Sequence, residues 1–70
     1  MAEVRAEMVA NVWKVLVSEG DQVDDGDTLV ILESMKMEIP VLAEGGGTLT
    51  TLAVGEGDVV QEGDLIAVID

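Results

Sequence analysis

The chain alternates short apolar runs with polar segments rich in glycine and acid. The runs are "NVWKVLV" (11–17), "DTLVILE" (27–33), "EIPVL" (38–42), "GTLTTLAV" (47–54) and "DLIAVID" (64–70). They are short and rich in Val, Ile, Leu and Thr, residues that fit a pleated, half-buried surface. No segment sustains a 3.6-residue period, so the pattern predicts strands and no substantial helix. Between the runs lie "SEGDQVDDGD" and "GEGDVVQEGD". Their Gly-Asp pairs signal turns, glycine supplying positive φ at no steric cost. Val23 and Val60 lie inside these loops and are expected to pin each loop to the core. Pro40 cannot donate to a ladder, which predicts an edge position or a strand start.

Shifted by 37, the sequence matches itself: residues 1–33 lie over 38–70 without a gap. Ten positions are identical, among them Glu19/Glu56, Gly20/Gly57, Asp21/Asp58, Val23/Val60, Gly26/Gly63 and Asp27/Asp64. Two copies exclude a solenoid and suggest one pseudo-two-fold domain in which each half covers the other's apolar face. Val12 is out of phase with Val15 and Val17, and Leu49 with Leu52 and Val54. The shared break predicts a bulge or sharp bend at 13–14 and 50–51, with strands crossing between two small sheets. Ser34, Met35, Lys36 and Met37 belong to neither copy. They form the turn of a hairpin between strands 28–33 and 38–42, which places Lys36 at its tip, on or near the pseudo-two-fold axis.

Composition narrows the function. Seventy residues carry a formal net charge of −12, with Arg5, Lys14 and Lys36 as the only cationic side chains. Nucleic-acid binding needs cations to neutralise phosphates, so nucleic acid and anionic membranes are poor partners. Nearly half the residues are hydrophobic, which argues against disorder. There is no cysteine, no apolar stretch long enough to span a bilayer and no signal-peptide pattern. A cytoplasmic monomer is the expectation.

Catalytic constellations are missing. His, Cys and Tyr are absent, so no base of the His type activates Ser18, Ser34 or the threonines. The stretch "DQVDDG" (21–26) is similar to the start of a calcium loop, but Val23 holds its third position and Leu32 its twelfth. "GGG" (45–47) lacks the Lys-Ser/Thr of a phosphate loop and reads as a flexible connection. Lys36 is left as the candidate for chemistry, flanked by two methionines at the one element that occurs once.

"ESMKMEI" resembles the attachment motif of biotinyl domains, and "EGDQVDDGDTL" and "EGDVVQEGDLI" resemble the two Gly-Asp-x-Val-x-x-Gly turns of the biotinyl/lipoyl family. The resemblance covers essentially the whole chain. It implies an all-β fold, a flattened barrel or sandwich of two four-stranded antiparallel sheets with pseudo-two-fold symmetry. It implies one biotinyl domain over 1–70, with half-repeats 1–33 and 38–70 joined by the 34–37 turn. The thumb insertion of some biotin carboxyl carrier proteins has no room in a gapless repeat. The chain resembles the small free-standing biotin/lipoyl attachment proteins of bacteria more than a carboxylase fragment, with an excised domain as the other reading.

By the same resemblance the chain is a carrier rather than an enzyme. A biotin protein ligase activates biotin as its adenylate, and the Lys36 amine attacks it to form an amide. Lysine side chains titrate near ~10.4, so the ligase has to supply deprotonation. The carrier then serves a biotin carboxylase and a carboxyltransferase. Met35 and Met37 either offer these enzymes an adaptable apolar surface or pack against their own hairpin. Glu33 and Glu38 flank the site and read first as solvated hairpin charges, with orientation of the ligase as the second reading. Ser34 replaces the alanine of many biotinyl domains and is expected to matter little. The alternative is a lipoyl carrier of a 2-oxoacid dehydrogenase-type system, in which Asp typically precedes the lysine.

Overall fold

The computed structural model describes residues 2–70; Met1, the first residue of the first half-repeat, lies outside them. Eight strands follow one another: β1 (Ala2–Arg5), β2 (Ala10–Val15), β3 (Gln22–Val23), β4 (Thr28–Ser34), β5 (Met37–Leu42), β6 (Gly47–Leu52), β7 (Val59–Val60) and β8 (Leu65–Ile69). They form two four-stranded antiparallel sheets, β1-β8-β6-β3 and β5-β4-β2-β7. The sheets pack as a sandwich in an envelope of 31 × 17 × 17 Å. The centre of each sheet comes from one half of the chain and both its edges from the other.

The register repeats with the 37-residue shift. Ala2↔Ile69 and Val4↔Ala67 in one sheet become Ile39↔Leu32 and Val41↔Val30 in the other. The core repeats too. Buried pairs are Ala6/Ala43, Val12/Leu49, Val23/Val60, Leu29/Ile66, Val30/Ala67 and Leu32/Ile69. Only buried Ala10 lacks a buried mate, since Gly47 stands at that position. A Cβ on Gly47 would meet the Asp70 carbonyl oxygen at 2.7 Å. Gly47 therefore marks a close approach of β6 to the end of β8 rather than part of the flexible connection expected.

The predicted phase breaks are β-bulges: the ladder skips between Val12 and Lys14 in β2 and between Leu49 and Thr51 in β6. The extra residue returns Val15 and Leu52 to the inner face. The strands do not cross between sheets there, contrary to expectation, since β2 pairs only with β4 and β7. Crossing happens in the connections. Every connection from β1 to β8 changes sheet except β4–β5. That exception explains why the lysine turn is so short. A crossing link has to climb from one layer to the other, whereas a hairpin within a sheet closes in two residues.

The acidic loops form four copies of one turn. In Ser18–Asp21, Asp24–Asp27, Gly55–Asp58 and Gln61–Asp64, the last N–H donates to the first carbonyl at 2.9–3.1 Å. Gly20, Gly26, Gly57 and Gly63 hold the third place at φ between +88 and +94, as a type II turn requires. The terminal Asp carboxylate then accepts the N–H of the first residue, at 2.9, 2.8, 2.8 and 2.9 Å respectively. Each turn bonds a segment of the other half. Gly20 donates to Leu49 and Gly57 to Val12, while Gly26 donates to Ala43 and Gly63 to Ala6. In "DQVDDG" the carboxylate of Asp21 thus accepts a backbone N–H. Val23 and Val60 are buried as expected.

Two consequences are measurable. Asp64→Ala removes the acceptor for the Gln61 N–H and should cost about 1 kcal/mol of unfolding free energy, or ~6 °C in Tm. Asp64→Asn keeps an acceptor oxygen and should lose less than half of that in the same thermal melt. Gly47→Ala forces a Cβ against the β8 backbone and should cost about 1–3 kcal/mol in urea titration; an unchanged midpoint would refute the close-approach account.

Candidate functional site

The β4–β5 hairpin brings all six residues singled out in the sequence into one structure. Ser34 pairs with Met37 across the base of the turn, and Glu33 pairs with Glu38 one step below. Met35 and Lys36 form the turn itself, with φ of +54 and +64. Positive φ at both central residues is the signature of a type I′ turn, which Asn and Gly normally fill. A non-glycine residue in this region costs roughly 1–2 kcal/mol. The strain is tolerated because a ladder of six pairs holds both strands.

Alternation along the strands decides where each side chain points. Leu32, Val30 and the half-buried Ile39 and Val41 face the core; Glu33 and Glu38 face out. Ser34 and Met37 continue the inward phase, but the core ends before it reaches them. Ser34 is half-buried, while Met37 is 64 % exposed and Met35 is 91 % exposed. Of the two readings of the methionines, packing under the hairpin does not hold: both side chains are exposed. Lys36 is exposed and forms no hydrogen bond or ion pair with the described residues. Directly opposed Glu33 and Glu38 carry like charges, an arrangement that destabilises a sheet and so is not explained by folding.

The hairpin tip lies at one pole of the long domain. Glu33, Asn11 and Val59 share a row beside the tip. From there β2 runs away, and the turn that follows it bonds Leu49, which pairs with Ile69 at the opposite pole. The pseudo-two-fold axis exchanges the poles. It emerges at the groove between the sheet edges β1 and β5, lined by the related pairs Val4/Val41 and Ala6/Ala43. Lys36 is therefore far from the axis, contrary to expectation: a joint between halves can sit on the axis only when it maps to itself, and this one maps to the opposite pole. Sequence reading also passed over Val59. It is 63 % exposed next to buried Val60, and its match to Gln22 in the other half was the available signal.

The arrangement can do one kind of chemistry. It holds a primary amine on a flexible four-carbon stem, clear of the body, with soft apolar surface on both sides. That suits acylation by another protein. The family model described as "Biotin-requiring enzyme" matches residues 2–69. A "Biotinylated protein TB7.3 homolog" from Mycolicibacterium smegmatis is 70 % identical over 71 residues, covering 100 % of both chains. The protein of the same description from Mycobacterium leprae is 66 % identical over 71 residues, again covering 100 % of both. The crystal structure of urea carboxylase from Kluyveromyces lactis superimposes with a TM-score of 0.91 at 36 % identity, covering 99 % of this chain and 6 % of that one. Repeat, fold and family match agree, and the chain belongs to the biotinyl/lipoyl attachment family.

Proposed function

We propose that this chain is a carrier: Lys36 takes biotin in amide linkage, and the loaded hairpin moves a carboxyl group from a biotin carboxylase to a carboxyltransferase. The observation that carries this reading is the place of Lys36, an amine without a partner among the described residues, at a two-residue turn on one pole. The descriptions of the mycobacterial relatives as biotinylated support the choice of cargo, as does a similar domain within a urea carboxylase. In the attachment step the Lys36 Nζ, having lost a proton to the ligase, attacks the activated carboxyl carbon of biotin adenylate. The C–N bond forms as the bond to AMP breaks, and AMP leaves. The charge falls by one, from −12 to −13. When bound, biotin supplies a ring nitrogen that takes up and releases the carboxyl group. The protein contributes reach and confinement: a rigid hairpin and a flexible stem keep the cargo at high effective concentration near each partner. In this reading the chain works as a cytoplasmic monomer.

Incubation with a biotin ligase, biotin and ATP should add one biotinyl group by intact mass, mapping to Lys36. Lys36→Arg should keep the wild-type melt and take none. A lipoyl adduct formed by a lipoate ligase in place of biotin would overturn the assignment of cargo. Met35→Asn places a residue that tolerates positive φ in the turn. It should raise unfolding stability by about 0.5–1 kcal/mol while slowing biotinylation. Faster or equal biotinylation would remove Met35 from the recognition surface.

A further inference from the structure

The repeat supplies an internal control. Trp13/Thr50 and Val59/Gln22 occupy equivalent places in matching ladders, so the demands of folding fall on both poles alike at these two pairs, whereas Gly45, at φ +99, differs in backbone from its mate Met8. Their exposed side chains nevertheless differ. Among the described residues eight large hydrophobic side chains are exposed, and six of them, Met8, Val9, Trp13, Met35, Met37 and Val59, gather at or beside the lysine pole. Four of the six have counterparts in the other half: Gly45, Gly46, Thr50 and Gln22. Met35 and Met37 have none, because their segment occurs once.

Placement ties these side chains to Lys36. Val59 pairs with Asn11 and Asn11 with Glu33, two residues from the turn. Continuing the register past Asn11↔Glu33 brings Val9 level with Met35. Trp13 is the bulge residue beside Val12, which pairs with Leu32. It therefore stands three residues behind the turn, or roughly 10 Å at ~3.3 Å per residue. It is 43 % exposed, and Lys14 Nζ lies 5.4 Å from its ring centroid. An interface of ordinary size covers about 800 Å² per partner, a disc of roughly 16 Å radius. One centred on the turn spans the whole ledge.

We infer that Val9, Trp13 and Val59, continuous with Met35 and Met37, form the docking ledge for the enzyme that acylates Lys36. This rests on the reading of Lys36 as the attachment site. The partner it fits offers an apolar cleft to Trp13 and Val59, and cationic side chains to the Glu33/Glu38 pair that folding does not explain. A second copy of this chain fits poorly, because two bodies of charge −12 repel each other.

The symmetry also designs the test. Trp13→Thr with Val59→Gln imports the residues already found at Thr50 and Gln22, so the backbone tolerates both. With a biotin ligase, ATP and biotin, the double variant should show a KM for the protein raised about tenfold or more, kcat within about twofold, and an unchanged urea midpoint. The mirror variant, Thr50→Trp with Gln22→Val at the far pole, should keep the wild-type KM. Wild-type KM in the Trp13/Val59 variant would overturn the ledge while leaving attachment at Lys36 standing. No biotin on the wild-type chain would overturn both. A dimer in sedimentation velocity that the Trp13/Val59 variant dissolves would overturn the ligase as occupant in favour of a second copy.

Discussion

The Gly-Asp turns hold the two halves of this chain together, and most of the rest follows from that. Each turn closes on itself through an Asp carboxylate and then bonds backbone in the opposite half, to Leu49, Val12, Ala43 or Ala6. Carboxylates at the second turn position add further links. Glu19 accepts from Leu52 N–H, Glu56 from Val15 N–H and Asp25 from Gly45 N–H. A 70-residue chain has a small core and no disulfide. Here the sandwich gains from ordered turns instead, which fix its layers without filling its interior.

This changes the meaning of the charge. A net −12 suggests steering towards basic surfaces, yet seven carboxylates act locally as backbone acceptors. Carboxylate suits the role because it only accepts, and each turn leaves an N–H facing it. Glu33 and Glu38 are different in kind. They accept no hydrogen bond from the described residues, oppose each other across the hairpin and flank the lysine.

Much of this was legible in the sequence, for physical reasons. The identities at the 37-residue shift fall on Gly20/Gly57, Asp21/Asp58, Gly26/Gly63 and Asp27/Asp64 because each turn needs positive φ at its third place and a short side-chain acceptor at its fourth. The bulges at 13–14 and 50–51 showed as phase errors, since side-chain direction alternates strictly along a strand. The hairpin and its lysine showed as the segment without a copy. What stayed hidden depends on the third dimension. Strand β1 carries charged Glu3 and Arg5 on its outer side and reads as a polar terminus. Packing of Gly47 against Asp70 joins residues far apart in the chain. A phase error does not say whether a strand stays in its sheet, and the pole occupied by Lys36 follows only once the sheet order is known.

The β4–β5 turn is the one connection that stays within a sheet, and it fixes a stoichiometry. A two-fold arrangement normally produces sites in pairs, one for each equivalent position. Here the equivalent of the turn would have to span from β8 to β1, across strands that already lie side by side in register. The turn segment 34–37 has no copy in the repeat. In the proposed reading a symmetric body thus displays one turn lysine, at one of its two poles, and carries one cargo there.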